Sequence, residues 1–503
     1  MDTSFSSIND NEKMNDYNNK LLPNKEINEF NNFSKTTLEG NIKKCDSEIL
    51  NSKQFKFKFR FWYVILLTLN ISIGNFFVGW CFGVFDPIQM NLVVMFDWTE
   101  SEKDIYLSLI SAFLPLGAVL GAFLSGPLSK KIGRRKAHIL TDILCLIGTG
   151  ITIILNVYTI IAGRLICGIS IGLYSTLISV YVNEFAPYEI SGLCGTIYEF
   201  FYCLGIFLSY VAGLNLPSED EPQNDWWRIM VSIPGILCFI RMLCLLFVFK
   251  HDTPKFLFMN KNDVEESKKC LRTIYLSEED VEEMIQDYTK FKHETKDIKF
   301  KDLFSKKYRI RLLLGCILML GQQIGGVDVI LMYSDHIYFP IVGTKKLATT
   351  FTLFSGFSMV VAGLISVFII EKFGRRKLLI TVQSLLVINL FVISFFYYME
   401  YVSYVVIYLF ILFIFLNGIG IAPISYIYTS DILPEYGVAI SVLINYVASY
   451  FVTQTFLFFE KSFLRMHGTM AFFGFSSLFV LIIAIFFMKE TKNKSANEID
   501  KLF

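Results

Sequence analysis

Twelve long apolar stretches restrict this chain more than any other feature. A helix that crosses a bilayer needs about 20 mostly apolar residues. These stretches are called spans 1 to 12 below. They lie at residues 62–84, 105–128, 137–155, 158–180, 194–215, 229–249, 310–338, 347–370, 378–399, 403–428, 438–459 and 469–488. Only 18% of the 503 residues are charged, compared with about 25% in soluble domains. The sequence therefore predicts an all-α membrane protein with twelve transmembrane helices, surrounded by a lipid bilayer.

The loops between the spans differ in charge. "SKKIGRRK" follows span 2 and "EKFGRRK" follows span 8, whereas the connection between spans 5 and 6, "LPSEDEPQND", is acidic. Loops rich in lysine and arginine stay on the cytoplasmic side of a membrane. We therefore expect both termini to lie in the cytoplasm.

Short motifs recur in the two halves of the chain. "IGRRK" at 132–136 returns as "FGRRK" at 373–377, and "NEFAP" at 183–187 returns as "SDILP" at 430–434. Internal repeats of this kind are typical of secondary transporters, which bind their cargo near the bilayer midplane between the repeats. Because repeats also occur in proteins that transport nothing, this pattern favours a transporter without requiring one.

Composition divides the chain into five segments. The asparagine-rich first segment is too polar to bury a core, and the segment between spans 6 and 7 is charged with helical spacing. We predict a disordered cytoplasmic tail at 1–58, a first six-helix half at 59–249, a cytoplasmic helical linker at 250–309, a second six-helix half at 310–488 and a cytoplasmic tail at 489–503.

Several other functions find no support in the sequence. The ten cysteines and five histidines show no metal-ligand spacing, and there is no Walker-type phosphate loop. A net charge of +1 gives no reason to expect a nucleic-acid partner. We predict no metal, no cofactor and no enzymatic activity. His336, near one end of span 7, is either an ordinary surface histidine or a pH sensor.

A series of motifs stands in the order of a known family. They are "GPLSKKIGRR", "GRLICGISIGLYSTLISVYVNEFAP", "WWR", "DTPKFL", "QQIGGVD", "EKFGRR" and "GIGIAPISYIYTSDILP". In these motifs the chain resembles the sugar porter family of the major facilitator superfamily, from about residue 60 to residue 490. The asparagine- and lysine-rich tail and the run "FLFMNKNDVEESKKCLRTIY" look similar to hexose transporters of apicomplexan parasites. The resemblance implies the major facilitator fold and transport of a sugar by alternating access.

The resemblance also implies a sugar site, which amide side chains and one aromatic ring form in the family. The matching positions here are Gln322, Gln323 and Asp328 in span 7, Glu199 in span 5, Met359 in span 8, Tyr426 in span 10 and Asn445 in span 11. Two family amides are thus acids in this chain, Glu199 and Asp328. A charged aspartate at the bilayer centre costs about 2.5–3.5 kcal/mol by insertion scales, so both acids are candidates for function.

Proton coupling is the second point on which this chain departs from part of the family. Proton-driven members place an aspartate in span 1 near the arginine of span 4, and here Cys81 stands near Arg164. This favours a facilitator. Alternatively, Glu199 and Asp328 take up the proton, and if they lie close together they titrate as a coupled pair. Asp86, nearer the outer end, is predicted to be a solvated loop charge.

The resemblance implies a conformational lock at the cytoplasmic ends of the spans. Its residues are Gly133, Arg134, Arg135 and Glu184 in the first half and Gly374, Arg375, Arg376 and Asp431 in the second. Ser191 and Val438 stand where the family has two further arginines. We expect either a less stable outward-open state or compensation by the linker.

The leading hypothesis is a membrane transporter for a hexose or a related sugar or polyol. The alternatives are a carrier for a cationic or zwitterionic solute, a proton-coupled sugar symporter that uses Glu199 and Asp328, and a sensor that binds sugar without moving it. We expect a monomer whose partner is a small-molecule solute. The plasma membrane is the expected location, and an organelle membrane is the alternative.

Overall fold

The computed structural model of the protein describes residues 58–217, 224–294, 300–305, 307–492, 494, 498–499 and 501–503. The predicted tail at 1–58 lies outside the described residues, apart from Lys58. The described chain is helical, and its β pairing consists of one isolated bridge between Phe59 and Tyr275.

Each predicted span corresponds to one helix or to consecutive helices. In the first half these are Phe61–Gly83 with Phe85–Phe96 (span 1), Glu100–Ile132 (2), Arg134–Thr152 (3), Val157–Phe185 (4), Ser191–Gly213 (5) and Trp226–Phe247 (6). In the second half they are Arg309–Ile324 with Val327–Met332 and Ser334–Val342 (7), Lys345–Phe373 (8), Arg375–Tyr398 (9), Tyr404–Ile419 with Ile421–Ile432 (10), Glu435–Lys461 (11) and Arg465–Phe487 (12).

Span 3 differs from the other spans in its polarity. Eleven candidate membrane spans among the described residues are long and apolar enough to cross a membrane, and span 3 is not one of them. It buries Arg134, His138 and Asp142, and it packs against spans 4 and 6. Polar groups at membrane depth normally face the bundle interior, so this helix depends on its neighbours to screen it from lipid.

Spans 2 and 4 approach closely through glycines. Gly117 and Gly121 of span 2 lie against the stretch of span 4 that contains Gly168 and Gly172. A Cβ atom on Gly168 would lie 2.1 Å from the carbonyl oxygen of Leu114, which no side chain tolerates. Small residues four apart allow membrane helices to pack backbone against backbone.

Spans 7 and 10 are broken near the middle of the bundle. Span 7 is interrupted at Gly326, whose φ of 88° is in the left-handed region. A Cβ atom there would also lie 2.4 Å from the ring of Phe473, so only glycine fits. Span 10 is interrupted at Gly420, between its two helices. Broken helices are typical of transporter binding sites, because the break frees backbone groups and reorients side chains.

A buried ion pair joins spans 3 and 6. The Nη2 atom of Arg241 lies 2.6 Å from Oδ1 of Asp142, and neither side chain has any exposed surface. The Tyr174 hydroxyl of span 4 donates to the same oxygen at 2.6 Å, and the guanidinium lies over the Tyr174 ring. In a low-dielectric interior such a pair persists only because each charge compensates the other.

The linker between the halves forms short helices beside the start of span 1. They are Pro254–Met259, Val264–Ile274, Glu278–Glu294 and a 3₁₀ helix at Phe300–Phe304. The Arg60 amide donates to the carbonyl of Ile274 at 2.7 Å, and the Leu276 amide donates to the carbonyl of Lys58 at 2.8 Å. The membrane face that bears residues 250–309 is called the linker face below, and the other is called the opposite face.

The Arg241–Asp142 pair gives a prediction for stability. Arg241→Met leaves the Asp142 carboxylate buried without its partner, and breaking a buried pair in this way costs about 3–5 kcal/mol. The double variant Arg241→Met/Asp142→Asn removes both charges and should recover most of that loss. The measurement is the apparent Tm of the purified protein in detergent.

Arg228→Met is the matched control for this prediction. Arg228 pairs with Asp225 at a more exposed site, and surface pairs contribute about 0–1 kcal/mol. A double variant as unstable as Arg241→Met would contradict a stabilising role for charge pairing.

Candidate functional site

Three amide side chains form a hydrogen-bonded cluster between spans 7 and 11. Gln323 Nε2 donates to Asn445 Oδ1 at 3.0 Å. Asn445 Nδ2 in turn donates to Gln322 Oε1 at 3.2 Å and to the carbonyl oxygen of Met319 at 2.8 Å. All three amides are buried, and Gln323 Oε1 has no described hydrogen-bond partner. The structure thus brings Asn445 together with two predicted site residues that lie more than a hundred positions earlier in the sequence.

Asp328 lies just beyond the break in span 7, at the start of the helix Val327–Met332. Its side chain is buried, and its Oδ2 accepts a hydrogen bond from the Ser449 hydroxyl of span 11. The sequence pattern did not single out Ser449. Span 11 therefore supplies partners to the amides and to the acid of span 7.

Glu199 and Tyr426 face the same central space from spans 5 and 10. Glu199 is exposed and Tyr426 is 37% exposed. The Glu199 carboxylate interacts electrostatically with the hydroxyls of Tyr426 and Tyr446 from the second half. Because side chains of both halves surround it, this exposed surface belongs to a central cavity and not to the lipid-facing side.

The two acids lie around the same hydroxyls without touching each other. Both Glu199 and Asp328 interact electrostatically with Tyr202, Tyr426 and Tyr446. Among the described hydrogen bonds, none joins the two carboxylates. That the two acids titrate as a coupled pair therefore stays a prediction.

Two other predicted residues lie outside this arrangement. Met359 of span 8 is buried in the apolar core. Arg164 of span 4 donates to the backbone carbonyls of Cys81 and Ile110 and stands over the Phe85 ring. No described contact joins Arg164 to Glu199 or Asp328.

Polar contacts tie the two halves together at the opposite face. The Asp335 amide donates to the Asp86 carboxylate at 3.1 Å, and Gln89 donates to the carbonyl of Met332. Lys461 of span 11 pairs with Asp104 of span 2 at 2.5 Å. The halves are closed against each other here.

The prediction that Asp86 is a solvated loop charge is wrong. Its side chain is 1% exposed, because the chain continues beyond Gly83 as a further helix that packs under the second half. Asp335, which is equally buried, accepts hydrogen bonds from Thr349 and Thr352. Asp86, predicted to lie in a loop, and Asp335 of span 7 are thus both part of the interface between the halves.

His336 is neither isolated nor fully exposed. Its Nε2 lies 3.0 Å from Oε2 of Glu460, with both side chains about one-fifth exposed. Both residues belong to the second half, so this contact does not bridge the halves. The expectation of an ordinary surface histidine is incomplete, because the sequence did not indicate the acidic partner.

At the linker face of the first half, an acid holds the turn between spans 2 and 3. Gly133 has a φ of 99°, and a Cβ atom there would lie 2.1 Å from Oδ2 of Asp252. Asp252 accepts the amide hydrogens of Arg134 at 3.0 Å and Arg135 at 3.1 Å. Burial raises the pKa of the Asp252 carboxyl above its ordinary value, although these hydrogen bonds oppose the shift.

The Arg134 side chain reaches from this turn to span 4. It makes a two-pronged contact with Glu184, with nitrogen-to-oxygen distances of 2.9 to 3.3 Å. Glu184 also accepts a hydrogen bond from the Thr253 hydroxyl. The linker, through Asp252 and Thr253, therefore completes the polar cluster around the lock residues of the first half.

The second half repeats the arrangement with different residues. Gly374 has a φ of 85° and lies against Glu490, which accepts the amide hydrogens of Arg375 at 2.9 Å and Arg376 at 3.1 Å. Thr491 donates to Asp431 at 2.7 Å. The pair between Arg375 and Asp431 is looser than its counterpart, at 3.6 Å.

Glu490 and Thr491 were missed in the sequence, although a signal was present. "DT" at 252–253 follows span 6 and "ET" at 490–491 follows span 12, so the pair recurs at the end of each half. The lock residues pair within each half, and they do not bridge the halves. Across the halves at this face, the Lys130 ammonium lies 3.4 Å from the Tyr436 hydroxyl.

Comparisons with known proteins agree with this architecture. The family model for sugar (and other) transporters matches residues 67–503. The facilitated trehalose transporter Tret1 of Bombyx mori is 28% identical over 458 residues, which cover 88% of this chain and 87% of that protein. Hexose transporter 1 of Toxoplasma gondii is 25% identical over 474 residues, which cover 86% and 81%. Hexose transporter 1 of Plasmodium falciparum is 29% identical over 335 residues, which cover 62% and 66%.

Solved structures share the fold at lower identity. The proton:xylose symporter XylE bound to 6-bromo-6-deoxy-D-glucose matches with a TM-score of 0.73 and 21% identity, over 88% of this chain and 99% of that chain. An inward-open XylE from E. coli gives the same TM-score and identity, over 88% and 100%. The predicted major facilitator fold is thereby confirmed. The chain, with the family model matched along most of its length, belongs to the sugar porter family of the major facilitator superfamily.

Proposed function

We propose that this protein moves a hexose or a related sugar or polyol across a membrane by alternating access, without coupling to protons. The observation that supports this most directly is the amide cluster of Gln322, Gln323 and Asn445, with Glu199 and Tyr426 near the same central cavity. Relatives named as facilitated trehalose and hexose transporters support a sugar as the cargo.

The chemistry of the cavity suits a neutral polyhydroxylated solute. Each sugar hydroxyl both donates and accepts a hydrogen bond, and amides and phenolic hydroxyls can do the same. Gln323 Oε1 has no described hydrogen-bond partner, so it can accept a hydrogen bond from a sugar hydroxyl. The partly exposed ring of Tyr426 supplies an apolar surface for a sugar ring.

Two features favour a facilitator over a symporter. Cys81 takes the place of the acid that would stand beside Arg164 in proton-driven relatives. Asp328 is buried and accepts a hydrogen bond from the Ser449 hydroxyl. No described contact joins Asp328 to Arg164. There is therefore no described ion pair between Asp328 and Arg164 that protonation of the acid could break.

The distribution of contacts supports a rocking mechanism. The halves meet through polar contacts at the opposite face, whereas the polar clusters at the linker face lie within each half. Each cluster would keep its half rigid while the halves separate at the linker face. In this proposal the linker face and both termini are cytoplasmic, the protein is a monomer, and it acts in the plasma membrane.

A second cargo remains in competition because of one observation. Glu199 is an exposed carboxylate in the central cavity, and no described cation pairs with it. An ammonium group on the solute would satisfy this charge, so a cationic or zwitterionic solute is the alternative. The two proposals share the site and differ in the group that Glu199 contacts.

Uptake into proteoliposomes tests the proposed function. We expect downhill entry of labelled glucose that does not change when a proton gradient is imposed, and no competition by amino acids or polyamines. The double variant Glu199→Gln/Asp328→Asn should still transport glucose with altered affinity, because amides also bind hydroxyls.

Three results would contradict this expectation in distinct ways. Uptake of a polyamine without uptake of glucose would identify the cationic alternative. Accumulation against a gradient that the double variant loses would assign proton coupling to the two acids. Binding of glucose without flux would indicate a sensor.

The amide cluster gives a prediction for affinity. Gln323→Ala removes a hydrogen-bonding group and leaves Asn445 Oδ1 without its donor, at a cost of about 1–3 kcal/mol. We expect the KM for the transported sugar to rise about tenfold or more. Gln383→Ala is the matched control. Gln383 of span 9 is also a buried amide, but it donates to the carbonyl of Ser477 in span 12. Equal KM values in the two variants would show that the cluster does not bind sugar.

The two polar clusters at the linker face should differ in importance. Glu184 receives a two-pronged contact from the nearly buried Arg134, whereas Asp431 lies 3.6 Å from Arg375. We therefore expect Glu184→Gln to reduce the maximal uptake rate per transporter more than Asp431→Asn does. The exposed Glu282, which pairs with Lys268 in the linker, provides the control Glu282→Gln. If Asp431→Asn proves more harmful, contact geometry does not decide the strength of the lock.

A further inference from the structure

Among the described residues, no acidic side chain pairs with the buried Arg164 of span 4. Its side chain is 3% exposed. The titratable groups that act on it electrostatically are the thiols of Cys81 and Cys167 and the hydroxyl of Tyr333. By contrast, Arg241 in the same bundle lies 2.6 Å from Asp142. A lone buried cation at membrane depth is costly unless something neutralises it.

The contacts that Arg164 makes leave part of its guanidinium unsatisfied. Nη1 donates to the carbonyl oxygen of Cys81 at 2.6 Å, and Nε donates to that of Ile110 at 3.2 Å. The Phe85 ring lies 4.8 Å away, which offsets part of the charge. The buried Nη2 atom has no described hydrogen-bond partner.

A small cavity adjoins this guanidinium. Its volume is about 20 Å³, and about 10–15 Å³ is enough for one water-sized species. Arg164, Cys81, Cys167, Thr149 and Thr152 line it, together with apolar side chains. All of its lining residues belong to spans 1, 3, 4 and 6, so it lies within the first half, apart from the central cavity between the halves.

We propose that this cavity binds a single small monovalent anion, chloride in the cell, which neutralises Arg164. The Nη2 hydrogens of Arg164 have no described acceptor and are available to such an ion. Cys81 and Cys167 line the same cavity, and no described carboxylate lines it to repel an anion. The apolar remainder of the wall excludes strongly hydrated or polyatomic anions. The anion would be a structural counter-charge, at the place where a span 1 acid would otherwise stand.

Thermal stability in different salts tests this proposal on the purified full-length protein. We compare sodium chloride with sodium gluconate at equal ionic strength, since gluconate is too large for the cavity. Ligand binding raises the stability of the folded state, and we expect saturating chloride to raise the apparent Tm by about 2 °C or more. The effect should saturate with chloride concentration, and bromide should reproduce it.

Two substitutions of Cys81 distinguish the site from a general salt effect. Cys81→Asp supplies a carboxylate beside Arg164 and should abolish the chloride effect. Cys81→Asn has nearly the same size without the charge and should retain it. Equal stabilisation of the wild-type protein by gluconate, or an undiminished chloride effect in Cys81→Asp, would overturn the proposal. Because the readout is stability, the result does not depend on whether the protein transports a sugar.

Discussion

The absence of water in the bilayer interior is the constraint on which this structure depends. A charge that enters the bundle must find its partner inside the protein, because lipid offers none. Asp142 and Arg241 meet this requirement by pairing with each other, and Asp328 meets it in part through Ser449. In the described contacts Arg164 has carbonyls and an aromatic ring but no acid, which is why we propose an anion beside it.

The same constraint explains how the turns at the linker face are built. Each half is followed by an acid and a threonine, and the acid accepts the first amide hydrogens of a helix that begins after a glycine. Asp252 and Glu490 thereby satisfy backbone donors that a helix start leaves open. The glycines at 133 and 374 are required because a side chain would collide with these acids. The repeated motif is therefore a helix cap as well as a source of lock residues.

The central cavity combines features of a neutral site with those of a charged one. The amide cluster is buried and internally hydrogen-bonded, which fixes the orientation of the groups that we propose bind sugar hydroxyls. Glu199 is exposed to the cavity, and its charge has no described partner. In the proposed function this acid separates the two candidate cargoes, because a cationic solute would pair with it and a neutral sugar would not.

The sequence by itself determined the membrane class and the family, and it showed the motifs that recur along the chain. Apolar length and short motifs are local properties, so they can be read without knowing what packs against what. Span 3 was recognised as a helix from its pattern, but only its neighbours account for its buried charges. The tertiary structure alone decided that Asp86 is buried and that Asn445 bonds to the span 7 glutamines. It also decided that the described lock pairs form within each half and that no described acid pairs with Arg164. These outcomes depend on contacts between residues distant in the chain, and whether a polar group is satisfied depends on three-dimensional packing, which a one-dimensional pattern does not encode.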